Sequence, residues 1–316
     1  MPELPEVETI RRQLEPDLVG RKLEAVEVLD AYFSKPSTAA AFERAAAGRE
    51  VLDVGRRGKY LMLELDDGNS VVIHLRMTGS LVLREPDGSA NPGDPRVSPN
   101  SSPQAVDTSQ AGPSADPAVD SGERHLRARF LLDDGGELRF SDPRRFGRGF
   151  VAGPDELDAY FGSRLGIEPL SPEFTVEAMA AMTAGRTGPL KSFLLNQKGV
   201  AGVGNIYADE ALFRAGLHPL SPGGSMRDEH HRALRDGVVE SLERGLDLGG
   251  ASIDDYRDAR GESGAMQNEF LVHRREGEGC PRCGETIVRI VVGGRSTYFC
   301  PGCQKRLRKR PRRRAR

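Results

Sequence analysis

The spacing of four cysteines constrains the fold of this chain more than any other local feature of its sequence. Two residues separate Cys280 from Cys283, two separate Cys300 from Cys303, and sixteen lie between the pairs. Two such pairs supply four thiolates to one tetrahedral zinc ion, which leaves no open coordination position. We therefore predict one structural zinc ion that fixes the shape of a small subdomain and takes no part in the chemistry.

The residues between the cysteine pairs have the pattern of a β-hairpin. The stretch TIVRIVVGGRSTYF (286–299) is rich in β-branched residues and has Gly293 and Gly294 at its centre, which predicts a tight turn there. The hairpin would then present Arg295 at its tip. Two disulfides are the alternative, but the N-terminus lacks the features of a secretory signal and no further cysteine is present, so we favour reduced thiols.

Net charge alone does not indicate a nucleic-acid partner. The chain has 45 basic and 47 acidic residues, and residues 305–316 hold nine of the basic residues and no acid. We predict a basic, disordered tail there. Evidence for nucleic acid must come from local clusters such as GRRGKY (55–60) and DPRRFGRGF (142–150). No apolar run approaches the roughly 18–20 residues of a membrane span, so we expect a soluble intracellular protein.

The first half of the chain is dominated by strand patterns. Aliphatic and β-branched residues recur in KLEAVEVLD (22–30), KYLMLEL (59–65), SVVIHLRM (70–77) and SLVLRE (80–85), and ARFLLDDGGELRFSD (128–142) predicts a further hairpin. Short strands joined by tight turns favour an antiparallel sandwich or barrel over βαβ units. With helical patterns in the second half, the predicted fold class is α+β.

A compositional break interrupts these strands at residues 86–123. It has no aromatic residue and no leucine, and Val97, Val106 and Val119 are its aliphatic residues larger than alanine. Such a segment buries too little apolar surface to offset the entropy of ordering, so we predict a disordered insertion. A functional arm is the alternative.

Helical patterns follow from about residue 155, and a glycine-rich turn (199–204) separates two of them. The backbone N–H groups of such a turn and of the next helix form an anion site, with Asn205 as the predicted cap residue. Gly202 and Gly204 would let a phosphate approach closely. A helical hairpin without any ligand is the alternative, and the residues leave both open.

The chain opens with MPELPEVETI, which also permits two interpretations. Pro5 and the nearby acids suit the first turn of a helix. Alternatively, removal of Met1 turns Pro2 into a secondary amine beside the carboxyl group of Glu3. Two other motifs, HLRMTGS (74–80) and DPRRFG (142–147), place cations beside bulky apolar side chains, which are either core residues or wedges that unstack a duplex.

Six separated motifs, taken together and in order, resemble the formamidopyrimidine-DNA glycosylase family. They are PELPEVET, GRRGKYL, HLRMTGSL, DPRRFG, GVGNIYADEALF and GGRSTYFCPGCQ, and the resemblance covers nearly the whole chain apart from residues 86–123 and the tail after about residue 304. The resemblance implies an N-terminal β-sandwich with an N-terminal helix, a helical domain containing a helix–two-turn–helix, and a zinc hairpin. The expected limits are 1–152 for the catalytic domain, 153–265 for the helical domain, 266–304 for the hairpin and 305–316 for the tail.

The resemblance also implies a bifunctional enzyme that removes oxidised purines (8-oxoguanine and formamidopyrimidines) and then cleaves the strand by β,δ-elimination. Pro2 is implied as the nucleophile, Glu3 as the proton donor that opens the sugar ring, and Glu6 as a supporting residue. Lys59 and Arg295 are implied as phosphate contacts and as proton donors for the eliminations. An α-amino group, with a reference pKa of about 7.7–8.0 against about 10.4 for lysine, is more often neutral and nucleophilic at pH 7. The iminium of a secondary amine stays cationic at any pH and acts as an electron sink.

The remaining residues implied by the resemblance bind DNA. Some grip phosphates around the lesion and help rotate the nucleotide out of the stack, and others fill the void that it leaves. Arg144 is implied to hydrogen-bond the orphaned base. The full set of these further contacts is His74, Met77, His125, Arg144, Phe146, Lys191 and Asn205.

The resemblance implies damaged double-stranded DNA as the partner and no membrane, and we expect a monomer in the bacterial cytoplasm, associated with the nucleoid. One departure concerns lesion preference: many relatives carry an aromatic pair where this chain has Gly264-Ala265-Met266-Gln267. Two alternatives are an endonuclease VIII-like glycosylase for oxidised pyrimidines and a non-catalytic zinc-ribbon DNA-binding protein. The leucine of PELPE argues against the first, and the combination of Pro2, Glu3 and Lys59 argues against the second.

Overall fold

The computed structural model describes residues 1–86, 124–253 and 256–308. The predicted insertion therefore lies outside the described residues from residue 87 onward, and so does the predicted tail from residue 309 onward. Among the described residues, no helix is both long and apolar enough to cross a bilayer.

The first helix, α1, begins where the sequence predicted it. It spans Leu4–Leu18, has Pro5 in its first turn, and begins with a capping box in which the Glu6 carboxylate accepts the backbone N–H of Glu3 at 2.8 Å. Proline at this position removes a donor that a helix N-terminus leaves unpaired in any case. The structural interpretation of the opening motif is thus confirmed, and it does not exclude the chemical one.

Helix α1 packs into two hydrophobic cores, that of the sheet and that of the helical region. Leu4 belongs to the core of the helical region, whereas Val7, Ile10, Leu14 and Leu18, spaced by three to four residues along one face, belong to the core of the sheet. The N-terminal end of α1 therefore lies at the junction of the two cores, which is where residues 2 and 3 are found.

Among the described residues of the N-terminal region, eight antiparallel strands form one sheet in the order β5-β7-β6-β1-β2-β3-β4-β8. Strands β1 and β2 share only two pairs, Lys22 with Glu50 and Leu23 with Arg49, so the sheet divides into two four-stranded halves that contribute to one core. This arrangement agrees with the predicted antiparallel sandwich. The elements are β1 Lys22–Val28, α2 Ala39–Ala46, β2 Arg49–Arg57, β3 Tyr60–Leu65, β4 Ser70–His74, β5 Ser80–Arg84, β6 Leu126–Leu132, β7 Glu137–Ser141 and β8 Arg148–Ala152.

Sequence patterns did not predict α2, β2 or β8. Charged residues obscure the alternation in β2, which contains part of the basic cluster GRRGKY. In β8, Gly149 lies against the Phe33 ring, and a Cβ atom there would come within 2.3 Å of it. A strand glycine that admits another residue so closely gives no hydrophobic signal in the sequence.

The second region is helical, as predicted. Helix α6 is its centre, since every residue from Ile206 to Phe213 is buried, including Asp209 and Glu210. Gly216 follows α6 with a positive φ of 67°, the conformation expected just beyond a helix end. The helices are α3 Pro154–Gly162, α4 Val176–Thr183, α5 Leu190–Leu195, α6 Asn205–Arg214 and α7 Asp228–Asp247, with short 3-10 turns at Gly223–Ser225 and Met266–Glu269.

The C-terminal hairpin is attached to the end of α6 by hydrogen bonds from an arginine of the zinc subdomain. Its strands are β9 Val288–Val292 and β10 Arg295–Phe299, joined at the predicted Gly293-Gly294 turn. Arg282 donates to the carbonyl oxygens of Phe213 and Arg214 at 2.8 and 3.1 Å, which satisfies acceptors left free at the end of a helix. The orientation of the hairpin is thereby tied to α6.

Candidate functional site

The N-terminus of α6 is capped by a residue from the other end of the chain. The Glu3 carboxylate accepts the N–H of Ile206 at 2.9 Å and that of Tyr207 at 3.4 Å. Asn205 is the first helical residue, and the cap position is Gly204. The prediction that Asn205 caps this helix is therefore wrong: a carboxylate competes better for the positive helix end than a neutral amide does.

The glycines of the turn make room for this contact. A Cβ atom on Gly204 would lie 2.3 Å from the carboxyl carbon of Glu3, and one on Gly202, whose φ is +83°, would lie 2.6 Å from Leu4. Residues 3 and 4 of the same chain thus occupy the space that the missing side chains leave. Gly204 also lines a cleft beside the turn, so the prediction that a phosphate approaches this turn stays a prediction. The anion bound at this helix end is Glu3.

A cleft of about 420 Å³ opens beside this junction, and Met1 forms part of its wall. Pro2 and Glu3 are buried directly after Met1 in the chain. No carboxylate lines the cleft among the described residues, so its lining is strongly positive. The cations of the lining are Lys59, Arg76, Arg164 and Arg295, and His74 and Asn205 add neutral polar groups.

Lys59 reaches the cleft from the turn between β2 and β3 and is only 6% exposed. Burial lowers its pKa and nearby Arg295 lowers it further, while the carboxylates of Glu3 and Glu6 oppose both effects. Glu168 holds this turn by accepting the N–H of Gly58 at 2.5 Å. A lysine with a lowered pKa gives up and regains a proton more easily near neutral pH.

His74, at the end of β4, is a neutral hydrogen-bonding group. Burial, together with the positive charges of Arg76 and Lys59, lowers its pKa to about 3. Its Nδ1 accepts the backbone N–H of Arg76 at 3.0 Å, so its proton resides on Nε2, which is left to donate to a ligand.

Beneath the cleft, α5, α6 and β10 meet at one carbonyl group. Asn205 Nδ2 and Lys191 Nζ both donate to the carbonyl oxygen of Ser296, at 3.0 and 2.9 Å. This contact fixes the residue that follows Arg295 in β10. Lys191 differs from its predicted role as a phosphate contact, because it is 0% exposed and paired with Asp209 at 2.7 Å. It supports the cleft from within.

Two loops outside the cleft are organised by a buried carboxylate that sequence reasoning missed. Asp142, fully buried, accepts the hydroxyl of Thr78 at 2.5 Å and the N–H groups of Arg144, Phe146 and Gly147 at 3.1, 2.8 and 2.6 Å. It thereby joins the HLRMTGS loop to the DPRRFG loop. An aspartate before a proline and two arginines in a loop is the available sequence signal.

The apolar side chains of these loops point to solvent. Met77 is 38% and Phe146 45% exposed, which contradicts the alternative that they are core residues. The Arg144 guanidinium lies 4.8 Å from the centre of the Phe146 ring. His125 contacts the start of the DPRRFG loop, because its carbonyl oxygen accepts the N–H of Asp142 at 2.8 Å.

Sequence reasoning also missed two cations of the cleft, Arg76 and Arg164. Arg76 adopts φ = 57°, a left-handed conformation that is costly for a residue with a side chain. Arg164 stacks on Tyr160, with its guanidinium carbon 4.0 Å from the ring centre. The HLRM motif could have indicated that Arg76 binds a ligand. Arg164 lies in no motif, so the sequence does not indicate its place in the cleft.

The four cysteines converge as predicted. Their sulfur atoms lie within 4.8 Å of one another, with Cys280 3.7 Å from Cys303 and Cys283 3.5 Å from Cys300. Four sulfurs bound at ~2.3 Å around one tetrahedral centre lie ~3.8 Å apart, so the geometry fits zinc. It does not fit the alternative of two disulfides, in which the sulfurs are ~2.05 Å apart.

The segment after α7 returns to the N-terminal helix. Ala251 donates its N–H to Glu6 at 2.8 Å, and Tyr256 and Ala259 belong to the core of the sheet. Met266, one of the residues that depart from the aromatic pattern, is fully buried in the helical core. The side chain of Gln267 accepts the N–H of Ser252 at 2.8 Å, which joins the 3-10 turn at Met266–Glu269 to the residues just after α7.

Three family models match the chain. "Formamidopyrimidine-DNA glycosylase N-terminal domain" matches residues 1–149, "Formamidopyrimidine-DNA glycosylase H2TH domain" matches residues 165–257, and "Zinc finger found in FPG and IleRS" matches residues 277–306. The three matches follow one another in the order that the motifs predicted. The third confirms the prediction of one structural zinc ion.

Named relatives match over almost the full length. The formamidopyrimidine-DNA glycosylase of Chloroflexus aurantiacus is 41% identical, with 96% of this chain and 98% of the relative covered. The solved structure of the MutM (Fpg) protein from Thermus thermophilus is 38% identical, with a TM-score of 0.77 and 96% and 98% of the two chains covered. That of Lactococcus lactis Fpg with an abasic site containing DNA is 33% identical, with a TM-score of 0.79 and 96% and 100% covered.

These matches confirm the resemblance and the fold class, and they do not support the non-catalytic alternative. The chain belongs to the formamidopyrimidine-DNA glycosylase family, and it is a DNA glycosylase of base excision repair with AP lyase activity.

Proposed function

We propose that the chain removes oxidised purines, 8-oxoguanine and formamidopyrimidines, from double-stranded DNA with Pro2 as its nucleophile. One observation carries the proposal: the cationic cleft, Met1 in its wall and the buried Pro2–Glu3 pair come together at the N-terminus of α6. Removal of Met1 would open the Pro2 nitrogen to the cleft. The cations would hold the phosphates on either side of the damaged nucleotide.

Base removal begins with a nucleophilic attack. The lone pair of the neutral Pro2 nitrogen forms a bond to C1′ as the bond between C1′ and the damaged base breaks, and the base leaves with the bonding electrons and takes up the proton that the nitrogen loses. Glu3 donates a proton to the ring oxygen, the bond between C1′ and that oxygen breaks, and the lone pair regained by the nitrogen forms the iminium. Because ring opening makes the displacement irreversible, base removal depends on Glu3. The position of Glu3, adjacent to Pro2 and fixed at the helix end, suits this transfer.

Strand cleavage follows from the charge of the iminium. The cation acidifies the C2′ protons, so loss of one of them expels the 3′ phosphate, and a second elimination expels the 5′ phosphate. Lys59 and Arg295 line the cleft. We propose that they contact the 3′ and 5′ phosphates and donate protons during the two eliminations. The product is a one-nucleotide gap with phosphate ends, and hydrolysis of the iminium frees Pro2.

Exposed side chains around the cleft suit the flipping of a nucleotide. We propose that His74 and Asn205 bind the phosphates of the extruded nucleotide, and that Met77 and Phe146 fill the space in the stack while Arg144 pairs with the orphaned base. His125, at the base of that loop, would contact the same DNA. Lys191 would act as a positioning residue beneath them.

The remaining features of the proposal concern organisation. We propose a monomer, acting in the cytoplasm and away from membranes, with a catalytic domain at 1–152, a helical domain at 153–265 and a zinc hairpin at 266–304. The altered residues at 264–267 suggest a lesion preference of their own. Comparing excision of 8-oxoguanine and thymine glycol tests whether oxidised purines are preferred.

The assignment of Glu3 predicts a step-specific defect. Glu3→Gln keeps an oxygen that accepts the N–H groups of α6 but has no proton to donate as an acid, so base removal should slow by roughly 10²-fold or more. Cleavage of a preformed abasic site should be affected much less. Glu15→Gln, on the exposed side of α1, is the matched control. Single-turnover excision by Glu3→Gln at the normal rate would show that the assignment is wrong.

The positive cleft predicts a change in salt dependence. If Arg76 and Arg164 each contact a phosphate, replacing both by alanine should reduce the slope of log K against log salt by about two, since each contact contributes roughly 0.9. The measurement is the affinity for a duplex containing a tetrahydrofuran abasic analogue at several salt concentrations. Lys22→Ala, outside the cleft, should leave the slope unchanged. An unchanged slope in the double variant would remove both residues from the DNA contact.

The structural zinc predicts joint loss of metal and DNA binding. Cys280→Ser removes one of four ligands, so zinc measured by elemental mass spectrometry should fall from one ion per chain, and affinity for the same duplex should fall with it. Arg289→Ala, on an exposed position of the hairpin, should retain the metal. Loss of zinc with full DNA affinity would contradict a role for the metal in presenting Arg295.

A further inference from the structure

The Glu6 carboxylate connects three separate parts of the molecule. Its Oε2 accepts the N–H of Glu3 at 2.8 Å, and its Oε1 accepts both the hydroxyl of Tyr207 at 2.7 Å and the N–H of Ala251 at 2.8 Å. The donors belong to the start of α1, to α6 and to the segment after α7. Three hydrogen bonds donated to the two carboxylate oxygens favour the ionised form of Glu6.

The packing around Glu6 leaves the segment after α7 little freedom to shift. A Cβ atom on Gly250 would lie 2.8 Å from the Glu6 side chain, and one on Gly245 would lie 2.5 Å from the Tyr207 hydroxyl. A Cβ atom on Gly264 would lie 2.2 Å from the carbonyl oxygen of Gly250. Gly245 and Gly250 thus allow the backbone to pack directly on the Tyr207–Glu6 pair, and Gly264 packs against the backbone of Gly250.

We propose that Tyr207 is a positioning residue for base removal: through Glu6 it holds the backbone of Glu3 and residues 249–253 in one arrangement. The inference rests on the proposed role of Glu3 as the proton donor. Ala251 and Tyr207 together orient the carboxylate that fixes residue 3. When either donor is lost, Glu6 holds the N-terminus less well.

The electrostatic surroundings make this arrangement sensitive to protonation. Among the described residues, the titratable groups that interact with Glu6 are Glu3, Lys59, Tyr207 and Tyr256. Burial and the Glu3 carboxylate raise the pKa of Glu6, and its three hydrogen bonds oppose that shift. Burial also raises the pKa of Tyr207, which keeps its hydroxyl protonated as a donor. Loss of that donor destabilises the Glu6 anion and raises the pKa of Glu6 further.

The test is the pH dependence of single-turnover base removal by Tyr207→Phe. Protonation of Glu6 would occur at higher pH, so the acid side of the profile should move upward by about one pH unit, because one hydrogen bond to a carboxylate changes its ionisation about tenfold. Excision near neutral pH should fall and recover on raising the pH. Cleavage of a preformed abasic site should change less.

Tyr298→Phe, which removes a hydroxyl from β10, is the matched control and should keep the wild-type profile. An unshifted profile in Tyr207→Phe, while Glu3→Gln is inactive, would overturn the inference and leave the role of Glu3 intact. Normal excision by Glu3→Gln would instead overturn the proposed function. If Tyr207→Phe does not fold, Glu6→Gln serves: its profile should lose the acid-side dependence, and retention of that dependence would overturn the inference.

Discussion

The geometry of the site depends on one interaction, the capping of α6 by the carboxylate of Glu3. A chain terminus is usually poorly ordered unless tertiary contacts hold it. Here the third residue is fixed at the positive end of a buried helix, and Glu6 and Leu4 hold the residues around it. Pro2 is therefore adjacent to a residue whose position is fixed by hydrogen bonds. A nucleophile needs such a fixed position to attack with a reproducible geometry.

Helix α6 transmits this order to the rest of the site. At its start it receives Glu3, in its middle Asp209 pairs with Lys191 and His273, and at its end it receives Arg282 from the zinc subdomain. Glu210 accepts the N–H groups of Leu271, Val272 and His273, which ties it to the segment leading into the hairpin. Buried charges are costly to desolvate, and removing one partner of such a pair costs about 3–5 kcal/mol. Helix α6 is therefore stable only when the N-terminus, α5, the segment before the hairpin and the zinc subdomain are all packed against it.

The sequence predicted the elements whose signals are local, and missed those that depend on tertiary contacts. The Cys280–Cys303 pattern, the Gly293-Gly294 turn and the start of α1 each follow from a few neighbouring residues. Asn205 was taken as a helix cap because the competing carboxylate is 202 positions away in the chain. Lys191 was placed on a phosphate because its pairing with Asp209 has no sequence signal. The role of Asp142 was missed because only the fold brings Thr78 of the other loop to it, and Arg164 was missed because only the fold brings it to the cleft.

The identity of the nucleophile is tested most directly by borohydride reduction of the enzyme on a duplex with 8-oxoguanine opposite cytosine, followed by mass spectrometry of the adduct. Borohydride adds hydride to the iminium and leaves a stable amine, so the modified residue can be read from the fragment masses. The account predicts a chain that begins at Pro2, with deoxyribose on its nitrogen. An active enzyme that retains Met1, or an adduct on an internal side chain such as Lys59, would contradict it.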